Sequence, residues 1–200
     1  IIDLSVKIDE GLPVYPGDPK TVIKPAGILE KDGIQDHYLS IGTHAGTHID
    51  APCHMIKGGK SLDQISVDKF FGKGIYIKTD REITLDKFKS AKIEENSIVL
   101  IDTGMSNLYQ AKEYFENYPA IPEEVAYYLV ERKIKMLGVD MCSVDHEPFP
   151  IHKILLQSEI LIIENLTNLS RLQGKNFKVY ALPINLSIDG APARVVAETI

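Results

Sequence analysis

The stretch His44-Ala45-Gly46-Thr47-His48-Ile49-Asp50-Ala51-Pro52-Cys53-His54 sets three imidazoles and a carboxylate within eleven residues, in a chain with six histidines. These side chains are among the commonest protein ligands of first-row divalent cations. Buried together, each polar group needs a partner, and a shared cation supplies one. His44, His48, Asp50 and His54 differ by even numbers, so an extended chain would show them on one face. A straight strand fails, because at about 3.3 Å per residue His44 and His54 would stand about 33 Å apart. The segment must bend, and Gly46 and Pro52 supply the means: glycine adopts angles closed to other residues, and proline restricts Ala51 and gives the sheet no donor. The chain therefore reads as a strand running into His44, then a folded, ligand-bearing loop. One helical turn would also join His44 to His48, but Gly46 and Pro52 oppose a long helix. The metalloprotease pattern H-E-x-x-H is excluded, since Ala45 stands where its glutamate belongs.

Two hundred residues suit one domain, 1–200, with a full core. A formal net charge of −6 argues against a nucleic-acid surface or a polybasic membrane anchor. No apolar run reaches the eighteen or so residues of a membrane span, and no signal-peptide pattern follows Ile1. Cys53 and Cys142 form neither a C-x-x-C pair nor a disulfide framework, which points to a reducing, cytoplasmic setting.

Along the chain, strands are expected over Ile2–Ile8, His37–Gly42, Gly74–Thr79, Ser97–Asp102, Lys135–Val139, Ile160–Ile163, Phe177–Ile184 and Ala193–Ala197. Leu12–Pro19 reads as a Pro/Gly turn, and Ser61-Leu62-Asp63 as a short helical turn. Helices are expected over Thr84–Lys92 with Thr84 as cap, over Asn107–Tyr118, from Ile121 to about Arg132 with Pro122 in its first turn, and over Ile151–Gln157. Strands interleaved with helices make an α/β fold, a mixed sheet or partly closed barrel with flanking helices.

Two residues outside the block qualify to complete a cation site. His152 sits on the short helix, and Glu164 ends an apolar strand, either as a solvated turn residue or as a ligand relieving a costly burial. Asp50 and Glu164 each have two oxygens and so could bridge two ions about 3.5–4 Å apart, with His44, His48 and His152 completing the centre. His54, left free, suits proton transfer. Ser143 and Asp145 fit either an outer shell orienting the ligands or a hydrogen-bonded turn. His37 and His146 read as structural, Cys53 as pointing away, and Tyr109, Tyr114 and Phe115 as helix packing.

The block matches H-x-G-T-H-x-D-x-P-x-H at every fixed position and so resembles the cyclase-like family of metal-dependent hydrolases, which includes kynurenine formamidase and isatin hydrolase. The likeness extends through Pro13-Val14-Tyr15-Pro16-Gly17-Asp18, Asp140-x-x-Ser143-x-Asp145, His152-x-x-Leu155-Leu156, Glu164-Asn165-Leu166-Thr167-Asn168-Leu169 and Gly190-Ala191-Pro192-Ala193-Arg194. The resemblance implies a swivelling β/β/α-type fold and a homodimer or homotetramer with its site near a subunit boundary. It implies one cation on His44, His48 and Asp50, a second on His152 with Asp50 and Glu164 shared, and His54 as proton carrier. Zinc (one or two ions) is implied for formamidase-like members and manganese for isatin-hydrolase-like ones. Formamidases tend to carry a tryptophan in the N-terminal loop; this chain has none, and Tyr15 stands there as the substrate-stacking residue.

The chemistry so implied is hydrolysis of a C–N bond in a small-molecule amide of the arylformamidase type. Cations would lower the pKa of bound water from 15.7 towards about 7, giving hydroxide, while His54 moves the proton. Two alternatives stand beside it: a cyclic amide, imide or lactone hydrolase on the same site, and a non-catalytic module whose ions hold the fold.

Overall fold

Three apolar runs, Ile98–Asp102, Met136–Val139 and Leu161–Glu164, lie side by side as parallel strands, the arrangement expected where both faces are covered. In the computed structural model, which describes residues 1–200, the strands are β1 (Ile2–Asp3), β2 (Val22–Gly27), β3 (Asp36–Ser40), β4 (His48–Asp50), β5 (Phe71–Lys78), β6 (Ile98–Asp102), β7 (Met136–Val139), β8 (Leu161–Glu164), β9 (Phe177–Pro183) and β10 (Gly190–Thr199). The helices are α1 (Leu29–Asp32), α2 (Leu85–Ser90), α3 (Glu113–Glu116), α4 (Glu123–Glu131) and α5 (Pro150–Gln157). Strands β5, β6, β7 and β8 run parallel, and α2, α4 and α5 make the crossovers between them. Antiparallel β4, β10 and β9 complete the circuit, and β9 pairs back onto β5. The expected mixed sheet is thus a fully closed seven-strand barrel, with β1 added along β10.

Alternation along the strands separates two apolar layers. Ile98 and Leu100 of β6, Leu161 and Ile163 of β8, Ile49 of β4, Val179 of β9 and Val195 of β10 fill the barrel interior. Val99, Ile101 and Ile162 point outward, against Phe88 of α2, Leu129 of α4 and Leu155 of α5. Because Ile49 and Ile163 point inward, the period of two turns His48, Asp50 and Glu164 outward. The polar cluster therefore sits on the outside of the barrel wall, near α5, and not in its lumen.

Several local expectations are corrected. The first strand stops at Asp3, with only an isolated bridge from Ser5 to Leu166 beyond it. No strand runs into His44: β3 ends at Ser40 and belongs to an exposed hairpin with β2. The barrel strand is instead His48–Asp50 itself, so part of the expected loop is sheet. The expected helix Asn107–Tyr118 breaks into a 3-10 turn, Met105–Leu108, and α3. Its buried phenols explain the path, since Tyr114 donates to Asn165 Oδ1 (2.8 Å) and Tyr118 to the Asp145 carbonyl (3.1 Å); tertiary partners override local periodicity. Thr84 occupies the N-cap of α2 without a side-chain cap bond, and Pro122 is the N-cap of α4 and not its first turn. Cys53 turns from the cluster and packs on the barrel interior, as expected.

Candidate metal centre

The barrel register brings the two halves of the site together. In the antiparallel pair of β4 and β8, His48 lies directly opposite Glu164, and on the other side of β4 Gly190 lies opposite Asp50. Gly46, at φ 65°, makes the turn before β4, and its carbonyl accepts a hydrogen bond from His48 Nδ1 (2.8 Å). That bond orients the ring and aims Nε2 at the cluster. His48 Nε2 is 3.3 Å from Asp50 Oδ1 and 3.5 Å from Glu164 Oε2.

Helix α5 delivers the other imidazole. Asp145 accepts the backbone N–H of Ile151 (2.6 Å) and of His152 (3.2 Å) at the helix start. Its other oxygen accepts His152 Nδ1 at 2.6 Å. His152 Nε2 then faces Glu164 Oε1 at 3.3 Å and Asp50 Oδ2 at 3.7 Å. Of the two readings of Asp145, the structure supports the orienting one; Ser143 donates to the Asp145 carbonyl and stiffens this turn.

His44 lies half-buried at the rim, with Nδ1 2.7 Å from Asp50 Oδ1 and Nε2 3.0 Å from Asp189 Oδ2. Asp189 also accepts His54 Nδ1 at 3.4 Å, and the His44 and His54 rings lie 4.1 Å apart. Asp189 escaped the sequence reading: a lone acid before Gly190 has no chelating spacing, and only the β10–β4 pairing brings it here. A Cβ on Gly190 would meet His44 Cε1 at 2.8 Å and the Ile49 carbonyl at 2.9 Å, so glycine at this position lets the His44 ring lie against β10.

Burial disfavours the charged forms of these groups, and their mutual attraction overturns that. Burial pulls His48 and His152 down, yet Asp50 and Glu164 on the one, and Asp145, Glu164 and Asp50 on the other, push both up to about 10. Burial would raise Asp50, but His44 and His48 hold it well below the usual carboxylate range. His54 differs. Burial lowers it, and His44 and His152 add to that against the pull of Asp50, so it is neutral near pH 7.

Whether the donor set fits a cation is answered by three atoms. His48 Nε2, Asp50 Oδ2 and Glu164 Oε1 are buried without a hydrogen-bond partner, and an unsatisfied buried polar group costs about 1–3 kcal/mol. Three sets with ligand atoms within 4.8 Å of one another meet here: His44/His48/Asp50 and Asp50/His152/Glu164, sharing Asp50, and at the rim His44/His54/Asp189. The residues present fit a divalent cation. His37 lies on the exposed hairpin and His146 packs on Tyr118, both away from these sets as expected. Above the cluster opens a cavity of about 270 Å³, with Tyr15, Phe115 and Phe149 on its wall and His54 at its side.

The barrel and the paired His/Asp/Glu sets on its wall define a protein built to hold a divalent cation. A family model described as "Putative cyclase" matches residues 2–146, and the chain belongs to that family. The kynurenine formamidase of Geobacillus thermodenitrificans is 30% identical, the match covering 96% of this chain and 94% of that one. A solved structure titled as a potential metal-dependent hydrolase with cyclase activity is 31% identical (TM-score 0.80), covering 98% of this chain and 95% of the other. An isatin hydrolase solved with a product analogue shares the fold at TM-score 0.88, with 22% identity and coverage of 100% and 91%. No helix is long and apolar enough to cross a membrane.

Proposed function

We propose that this chain hydrolyses the C–N bond of a small aryl amide, as its formamidase relatives are named for doing. His44, His48 and Asp50 would hold one divalent cation, and His152 and Glu164, with Asp50 shared, a second. The observation that carries this reading is the convergence of buried, unpartnered His48 Nε2, Asp50 Oδ2 and Glu164 Oε1 from two adjacent strands. The two imidazoles of the first set favour zinc as the ion, and the oxygen-richer second set admits manganese as the alternative. When bound, such a cation acidifies water and polarises the scissile carbonyl.

The chain's own residues do the rest. His54 is neutral near pH 7 and beside the cluster, so it can accept a proton from the attacking water and return it to the departing nitrogen. Asp189 holds His54 through Nδ1, leaving Nε2 for the substrate. Tyr15 stands on the cavity wall, edge-on to Phe115 (6.2 Å, 82°), where an aryl group can stack.

The test is elemental analysis of protein purified without chelators, alongside a screen of N-formyl arylamines and cyclic amides. One or two ions per chain, with formamide hydrolysis lost on chelation and restored by zinc, is the expected result. Bound ions with no hydrolysis of any amide overturns the catalytic reading in favour of a structural metal module.

A further inference from the structure

The cavity wall carries an unbalanced charge pattern. No lysine or arginine lines it, and away from the His/Asp/Glu cluster its one charged side chain is Asp18. Asp18 is held in the turn Tyr15-Pro16-Gly17-Asp18, its backbone N–H donating to the Tyr15 carbonyl at 3.0 Å. The carboxylate is thereby tied to the segment that presents the Tyr15 ring. Facing them are two further rings: Phe115, edge-on to Tyr15, and Phe149, edge-on to His152 at 5.9 Å. Phe149 adopts φ 60°, ψ 53° at the start of α5, a conformation uncommon for bulky residues. Its ring stands on the cavity wall.

The chemistry of such a wall is selective. Aromatic faces accept a flat ring and also attract cations, whereas a carboxylate with no compensating base repels an anionic group and draws a cationic one. The overall charge of −6 adds to the same bias at long range. We propose that the substrate is a flat aryl amide whose end remote from the scissile bond is neutral or cationic, and that Asp18 discriminates against an anionic remote group.

This inference rests on the amide-hydrolase reading, and one experiment separates the two. Zinc-loaded protein is given three matched N-formylanilides, bearing para-aminomethyl, para-methyl and para-carboxymethyl groups. The expected order of kcat/KM is ammonium, then neutral, then carboxylate, with about tenfold between the ends, the scale of two weak surface charge interactions of opposite sign. The spread should shrink with added salt. Asp18→Asn should narrow it and Asp18→Lys invert it. Binding of the corresponding product anilines to the metal-free protein, read by calorimetry, should follow the same order. Equal rates on all three substrates, or the carboxylate fastest, overturns the specificity inference and leaves amide hydrolysis standing; no hydrolysis of any of the three overturns both.

Discussion

His48 and Glu164 face each other across the antiparallel strands β4 and β8, with His48 Nε2 3.5 Å from Glu164 Oε2. Their opposition joins the two ligand sets, since Glu164 Oε1 also reaches to 3.3 Å from His152 Nε2. Glu164→Gln keeps the shape and removes the charge. If the centre holds two ions, this variant should retain the cation on His44, His48 and Asp50 and lose the other. Metal content by elemental analysis checks it: an unchanged stoichiometry removes Glu164 from the ligand set.

The imidazoles make a pH prediction for the metal-free protein. His48 and His152 are raised in the folded state to about 10, above the ordinary value of 6.5. The folded chain therefore binds protons more tightly than the unfolded one. The resulting stabilisation is fully present below pH 6.5 and is lost as pH rises towards 10. Chelator-treated protein should melt at lower temperature at pH 9.5 than at pH 6.5. Cation binding must displace these protons, so zinc titrations in buffers of different ionisation enthalpy should show proton release at pH 7.5.

His54 belongs to neither His44/His48/Asp50 nor Asp50/His152/Glu164 but groups at the rim with His44 and with Asp189, its hydrogen-bond partner. His54→Ala should keep its full metal content and melting temperature while kcat falls about 10²- to 10⁴-fold, the usual contribution of a proton-transfer group. Metal lost together with activity would place His54 among the ligands instead.

Gly190 sets how closely the His44 ring lies against β10. A Cβ there would stand 2.8 Å from His44 Cε1 and 2.9 Å from the Ile49 carbonyl. The backbone of β4 cannot yield cheaply, so in Gly190→Ala the His44 ring has to move. Zinc affinity should fall about 10- to 100-fold, as when a ligand loses its orienting surroundings, while the fold survives. Competition with a chromogenic chelator measures it.

Much of this architecture was legible in the chain. The apolar runs at Ile98–Asp102, Met136–Val139 and Leu161–Glu164 announce buried strands by composition alone, and spacing and resemblance single out His44, His48, Asp50, His152 and Glu164, side chains that the fold brings together. Barrel closure was not legible, because β9 and β10 declare themselves strands without declaring partners. The strand character of His48–Asp50 was hidden as well: three residues are too few to show a period. Asp189 was missed for the same kind of reason, since its neighbours in space are about 135 and 145 residues away in sequence.

Because His48, Asp50 and Glu164 hang from the outward pleat of the wall, the lumen contributes nothing to them beyond stiffness. Ile49 and Ile163 separate the interior from the chemistry by the thickness of a single strand. The interior could thus drift or be redesigned residue by residue, at constant volume, without retuning the ions, while the loops bearing Tyr15 and Phe149 evolve new appetites on an unchanged chassis.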